Sequence, residues 1–266
     1  MKILTETWFS ESIERQKSIT VALPPTYSLL GRPCPVLYLL HSFGGNRTSW
    51  FRCPSLAARA SDLGLILVLP ESGRSWLIND ARGRRYEDYL LQEVVPYVDR
   101  HFNTVADRAG RAIAGFSMGG ATAFFQALRH GDVFCAAGSN GGAFEAPLRE
   151  GDPYHRHRHD QRLMMPTVAD HERVWGPVGS DVRRTYDPYR LLRELGPDDP
   201  VPVFYLDVGL QDFSRTIAMN RNMRDALSAR KMPFVYRERP GRHDWEFVEA
   251  GIDELLGFVS ENLATR

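Results

Sequence analysis

A chain of 266 residues with 43% hydrophobic and 25% charged side chains has the make-up of one enzyme-sized globular domain, which excludes a stapled mini-protein and a predominantly disordered chain. Lys+Arg and Asp+Glu both number 33, so no net field draws the molecule towards nucleic acid or an anionic membrane, and any partner has to be argued from a site.

In chain order, short apolar runs at Lys2–Phe9, Ser18–Leu23, Val36–His41 and Leu65–Leu69 predict strands, the first two as an antiparallel pair at one edge. Tyr86 to Phe102 then sets Leu90, Val94 and Val98 on one helical face, with a bend expected at Pro96, which lacks an N–H. A strand at Arg111–Ala114, a helix over Met118–His130 and a strand at Phe134–Gly138 follow. From 141 to 188 apolar periodicity fades and breakers multiply, which predicts a cap inserted over the site. Strands at Val203–Val208 and Phe234–Arg239 flank a helix over Ser214–Arg230, and Ile252–Leu263 predicts a closing helix. This alternation is that of an α/β domain over 1–266, a mostly parallel central sheet of about eight strands with helices on both faces.

The cysteines, Cys34, Cys53 and Cys135, form no CxxC and suit a reducing compartment. Glu6, Glu11 and Glu14 interrupt the amino terminus where a signal peptide would be apolar, so the expectation is a cytoplasmic protein with no membrane partner. The few lysines, Lys2, Lys17 and Lys231, and the scattered arginines make no nucleic-acid surface.

The chemistry is most legible at Gly115-Phe116-Ser117-Met118-Gly119, between an apolar strand and a helix-forming stretch. A serine hydroxyl becomes a useful nucleophile when a tight strand-to-helix turn presents it, and flanking glycines permit that turn. The helix start also aims the Met118 N–H at a developing oxyanion. A second amide is expected from Phe43, in the small-residue loop His41-Ser42-Phe43-Gly44-Gly45, with His41 holding the loop by hydrogen bonds. His243, just after the last strand, is the candidate base, and Asp212, just after the strand before it, the candidate acid. Asp207 and Asp244 compete for the acid role, but Asp207 falls inside a strand and Asp244 adjoins the base it would have to orient. The chain order Ser, Asp, His is that of an α/β-hydrolase.

The segments LLHSFGGNRTSW at 39–50, SGRSWLIN at 72–79, YEDYLLQEVVPYVDRHF at 86–102, AGFSMGG at 114–120, YDPYRL at 186–191, and GLQDF and GRHDW near the end resemble the esterase D-type family of α/β-hydrolases over nearly the whole length. That family includes S-formylglutathione hydrolases, tributyrin and acetyl esterases, feruloyl esterases and mycolyltransferases. The resemblance implies Ser117, Asp212 and His243 as a triad and the amides of Phe43 and Met118 as the oxyanion hole. It implies a carboxylic ester hydrolase acting on a small-molecule ester without cofactor or metal, with thioester hydrolysis and acyl transfer open to the same machinery. Ser42 departs from the glycine usual after the histidine, placing a hydroxyl near the acyl pocket.

Trp76 and Trp175 are expected in the pocket wall. His155, His157 and His159 alternate with arginines and read as a solvated basic loop rather than a metal site. Leu163, Met164 and Met165 are an apolar patch that would hold the cap down.

Overall fold

The structure, a computed structural model, describes residues 1–145 and 166–264. The chain builds β1 (Lys2–Ser10), β2 (Arg15–Leu23), β3 (Val36–Leu40), α1 (Leu56–Asp62) and β4 (Ile66–Leu69). Next come α2 (Tyr86–Asp88), a π-helical stretch Tyr89–Val94 and α3 (Val95–His101), then β5 (Arg111–Phe116), α4 (Met118–Arg129) and β6 (Ala136–Asn140). The short helices α5 (Val168–Trp175), α6 (Asp181–Thr185) and α7 (Pro188–Glu194) lead to β7 (Val203–Gly209), α8 (Ser214–Ala229), β8 (Phe234–Arg239), α9 (Trp245–Ala250) and α10 (Ile252–Asn262).

All eight strands join one sheet in the order β1-β2-β4-β3-β5-β6-β7-β8. β1 pairs antiparallel with β2 and β2 with β4, and every later pairing is parallel. Parallel strands covered on both faces should be apolar throughout, and β3, Val-Leu-Tyr-Leu-Leu, is buried at every position. Its side chains alternate between two cores. Val36, Tyr38 and Leu40 join the layer containing α4 and α8, while Leu37 and Leu39 join the layer containing α1 and α10. Among the described residues no helix is long and apolar enough to cross a membrane.

Three expectations shift. β5 runs on to Phe116 and β6 lies two residues later than expected, because Ala112 to Phe116 pair in register with Ala136 to Asn140; Phe134 instead closes a turn onto the His130 carbonyl at 3.1 Å. The wider π-helical turn over Tyr89–Val94 ends just before Pro96, so the proline falls in the first turn of α3, where its missing N–H leaves no hydrogen bond broken. Within the stretch read as a breaker-rich cap α5 and α6 form, and α7 begins at its last residue, each started by a side-chain cap from Thr167, Ser180 or Asp187. The His155, His157 and His159 group and the Leu163, Met164 and Met165 patch lie outside the described residues.

Candidate active site

Ser117 sits between β5 and α4 with φ 57° and ψ −113°, a conformation that an L-residue holds at a cost of about 1–3 kcal/mol. Its surroundings leave no other course for the backbone. Its N–H donates to the Asn140 carbonyl at 2.8 Å, and its own carbonyl accepts from Ala121 (3.1 Å) and Ala143 (3.2 Å). The flanking glycines act through close approach: a Cβ at Gly115 would stand 2.2 Å from the Gly119 carbonyl carbon, and one at Gly119 would stand 2.3 Å from the Leu40 oxygen. The turn and the end of β3 therefore touch backbone to backbone, which draws the loop after β3 against the start of α4.

The loops after β7 and β8 are joined in the same way. A Cβ at Gly209 would lie 2.3 Å from the Gly241 oxygen, and the Gln211 N–H donates to that oxygen at 2.9 Å while its side-chain carbonyl accepts from the Gly241 N–H at 2.6 Å. Asp212 and His243, far apart in the sequence, are thereby brought together. His243 Nδ1 is 2.8 Å from Asp212 Oδ2, and His243 Nε2 is 2.8 Å from Ser117 Oγ. A carboxylate only accepts, so Nδ1 carries the proton, which leaves Nε2 free to accept from the serine hydroxyl. The other Asp212 oxygen accepts the Phe213 N–H at 2.6 Å, and its carboxylate is fully shielded from solvent.

The competing acids are occupied elsewhere. Asp207 is buried in β7, where Arg239 (2.6 Å), Asn140 (2.9 Å) and Tyr205 (3.1 Å) hold it, and Asp244 caps α9 by accepting the Phe247 N–H at 2.9 Å.

His41 is buried and bridges two loops. Its Nε2 accepts the Ser72 N–H at 3.0 Å, so Nδ1 bears the proton and donates to the Ser42 carbonyl at 2.7 Å. Burial holds it neutral, lowering its pKa to about 4. The Ser42 carbonyl, which also accepts from Gly45 at 2.9 Å, is turned inward. Across a trans peptide the N–H points the opposite way, so the Phe43 N–H is turned away from His41. Met118 is the first residue of α4, where no intrahelical acceptor exists for its N–H and the helix dipole favours negative charge. The backbone at Ser42 stays outside the left-handed region, so the serine replaces glycine without strain.

Ser117, His243, Phe43, Met118 and Ser42 all line one open cavity of about 910 Å³. Trp76 lines it as well, but Trp175 does not: it is fully buried, packed perpendicular to Trp76 at 5.2 Å, and so supports the wall from behind. Four lining aromatics escaped the sequence reading: Phe51, and three that adjoin or nearly adjoin a triad candidate, Phe116 beside Ser117, Phe213 beside Asp212, and Trp245 two residues after His243. Phe116 and Phe213 pack on the His243 ring at 4.9 and 5.5 Å. Among the described residues no group of three or more His, Cys, Asp or Glu could hold a metal ion.

A family model described as "Putative esterase" matches residues 10–256. Esterase Rv1288 of Mycobacterium tuberculosis is 28% identical over 241 residues, covering 85% of this chain and 52% of the relative, so the chain spans about half that protein's length. An acetyl esterase of Caldicellulosiruptor saccharolyticus is 23% identical over 270 residues, covering 98% of this chain and 99% of the relative. The solved structure of the fluorophosphonate-binding serine hydrolase FphF from Staphylococcus aureus superposes with a TM-score of 0.82 at 27% identity, covering 97% of this chain and 98% of that one. With the matched region spanning all but the ends of the chain, this protein belongs to the esterase family.

Proposed function

We propose that the protein is a serine carboxylesterase that hydrolyses short-acyl esters through an acyl-enzyme on Ser117. The observation that carries this reading is the unbroken line of hydrogen bonds from Asp212 through His243 to Ser117 Oγ, opening into a cavity. In the proposed cycle His243 Nε2 takes the Ser117 proton as Oγ attacks the ester carbonyl, and Asp212 holds the imidazole in the tautomer this requires. The amides of Phe43 and Met118 hold the tetrahedral oxyanion. His243 then protonates the departing alkoxide, and water, deprotonated by the same nitrogen, releases the acid and restores the serine hydroxyl.

The family membership and the likeness to a fluorophosphonate-binding serine hydrolase support the reaction class, and the full-length match to an acetyl esterase supports a small acyl group. Hydrolysis of p-nitrophenyl acetate and butyrate by the wild-type protein, beside Ser117→Ala, tests it. The variant should lose on the order of 10⁴- to 10⁶-fold in kcat. Equal turnover by the two proteins would refute the proposal.

A further inference from the structure

Trp76 carries features that its packing alone does not require. Both it and Leu77 hold left-handed backbone, at φ 55° and 45°, although neither is a glycine. Its indole N–H is buried without an acceptor among the described residues. Strain of this kind persists where the surroundings over-determine it and concentrates at functional sites. Here the ring is clamped by Phe125 (6.3 Å), His171 (6.0 Å) and Trp175 (5.2 Å), two of them from α5. A second observation is independent of the strain. Beside the main cavity lies a crevice too narrow to admit water, lined by Leu40, His41, Ser72, Leu77, Gly119 and Thr122 and sharing Trp76 and Met118 with the cavity. Trp76 and Met118 thus border both spaces.

The side of the cavity that Trp76 bounds follows from the chemistry. The leaving group must depart where His243 Nε2 can protonate it, among Phe116, Phe213 and Trp245. The oxyanion faces the Phe43 and Met118 amides, which leaves the acyl chain the side bounded by Trp76, whose ring partners among the described residues are Phe125, His171 and Trp175 rather than the aromatics around His243.

We propose that Trp76 is the specificity-determining residue of the acyl site: its indole ends the acyl pocket and closes off the crevice behind it, so that acetyl-sized groups are accepted and longer ones excluded. This rests on the serine-esterase reading. Each methylene that a fitted pocket admits or rejects changes kcat/KM by about tenfold or more.

The test is a series of p-nitrophenyl acetate, butyrate, hexanoate and octanoate, with wild type, Trp76→Ala and Trp76→Phe, each checked for folding by thermal melting. The wild type should fall by about 10²-fold or more from acetate to butyrate, two methylenes longer, and further to hexanoate. Trp76→Ala should move the optimum from acetate to butyrate or hexanoate. Trp76→Phe keeps a ring for Trp175 to pack on, so it should give an intermediate profile, and it decides the matter if the alanine variant does not fold. A wild type that turns over octanoate as well as acetate, or folded variants with the wild-type chain-length profile, would overturn this assignment while leaving the esterase reading intact. Absence of any Ser117-dependent turnover in the wild type would overturn both.

Discussion

The two walls of the cavity are built by different means. On the side of His243, position is set by main chain against main chain: Gly119 against Leu40, Gly209 against Gly241, and the Ser117 N–H on the Asn140 carbonyl. On the side of Trp76, position is set by side chains packed on side chains, with Trp175 and His171 of α5 clamping the indole. Backbone contacts without room for a single methyl group cannot drift, which suits groups that must meet at hydrogen-bond distance. A wall of packed rings can be reshaped by substitution without moving the sheet, which suits the part of the site that selects the acyl group.

The comparison breaks most sharply at the acids. Asp212→Asn should leave the loop geometry in place and lower kcat by about 10⁴-fold, because the amide favours the wrong imidazole tautomer. Asp207→Asn should act in the opposite way: it weakens a buried ion pair with Arg239 at 2.6 Å, so stability should fall by about 3 kcal/mol while kcat of the folded fraction stays near wild type. Steady-state kinetics beside urea denaturation separates the two. If Asp207→Asn were the catalytically crippled variant, the assignment of the acid would be reversed.

A gentler blow to the backbone-built side is Gly119→Ala. The added methyl would meet the carbonyl oxygens of Leu40 and His41 at 2.3 and 2.7 Å, neither of which is a flexible side-chain end. The expected loss is about 3 kcal/mol in urea denaturation, with activity falling further than stability alone explains because the loop after β3 is displaced from Ser117. A variant as stable and active as wild type would show that this contact has slack.

The smallest effect concerns pH. His41 has its pKa lowered from 6.5 to about 4 by burial, so between these values the unfolded chain binds a proton that the folded one does not. Stability therefore suffers no penalty from His41 above pH 6.5 and falls as pH drops towards 4, the loss reaching about 2 kcal/mol by pH 5. His41→Asn should flatten this part of the stability–pH curve, measured by melting temperature between pH 7 and 5. An unchanged slope would mean that His41 is not held neutral.

The same contrast explains what could be read from the amino-acid sequence. The Gly-x-Ser-x-Gly turn is legible because strand, glycines and helix are neighbours in the chain, and Asp212 and His243 are legible because each follows a parallel strand at the edge where loops gather. The centre of the sheet follows from apolar runs buried on both faces, as in β3 and β4, whereas the edge strands β1 and β8 are only partly covered. Trp76 and Trp175 could not be told apart, since both are tryptophans in stretches without apolar periodicity and only tertiary packing decides which ring meets the cavity. Left-handed backbone at Trp76 and Leu77 leaves no trace when no glycine marks it. The short helices α5 to α7 did leave a signal, in the caps at Thr167, Ser180 and Asp187, but their five to eight residues are too few for apolar periodicity to emerge. The π-helical turn before Pro96 has no counterpart in side-chain pattern and follows from where the proline must sit.

The central claim, that Ser117 is the activated nucleophile of an esterase, is tested most directly by treating the native protein with diethyl p-nitrophenyl phosphate and locating the modification by peptide mass spectrometry. Attack by an activated serine releases p-nitrophenol and leaves a diethylphosphoryl group on that oxygen. The account predicts one stoichiometric label on the peptide containing Ser117, abolished in Ser117→Ala and strongly slowed in Asp212→Asn. A label on another residue, or equal labelling of the Ser117→Ala protein, would contradict it.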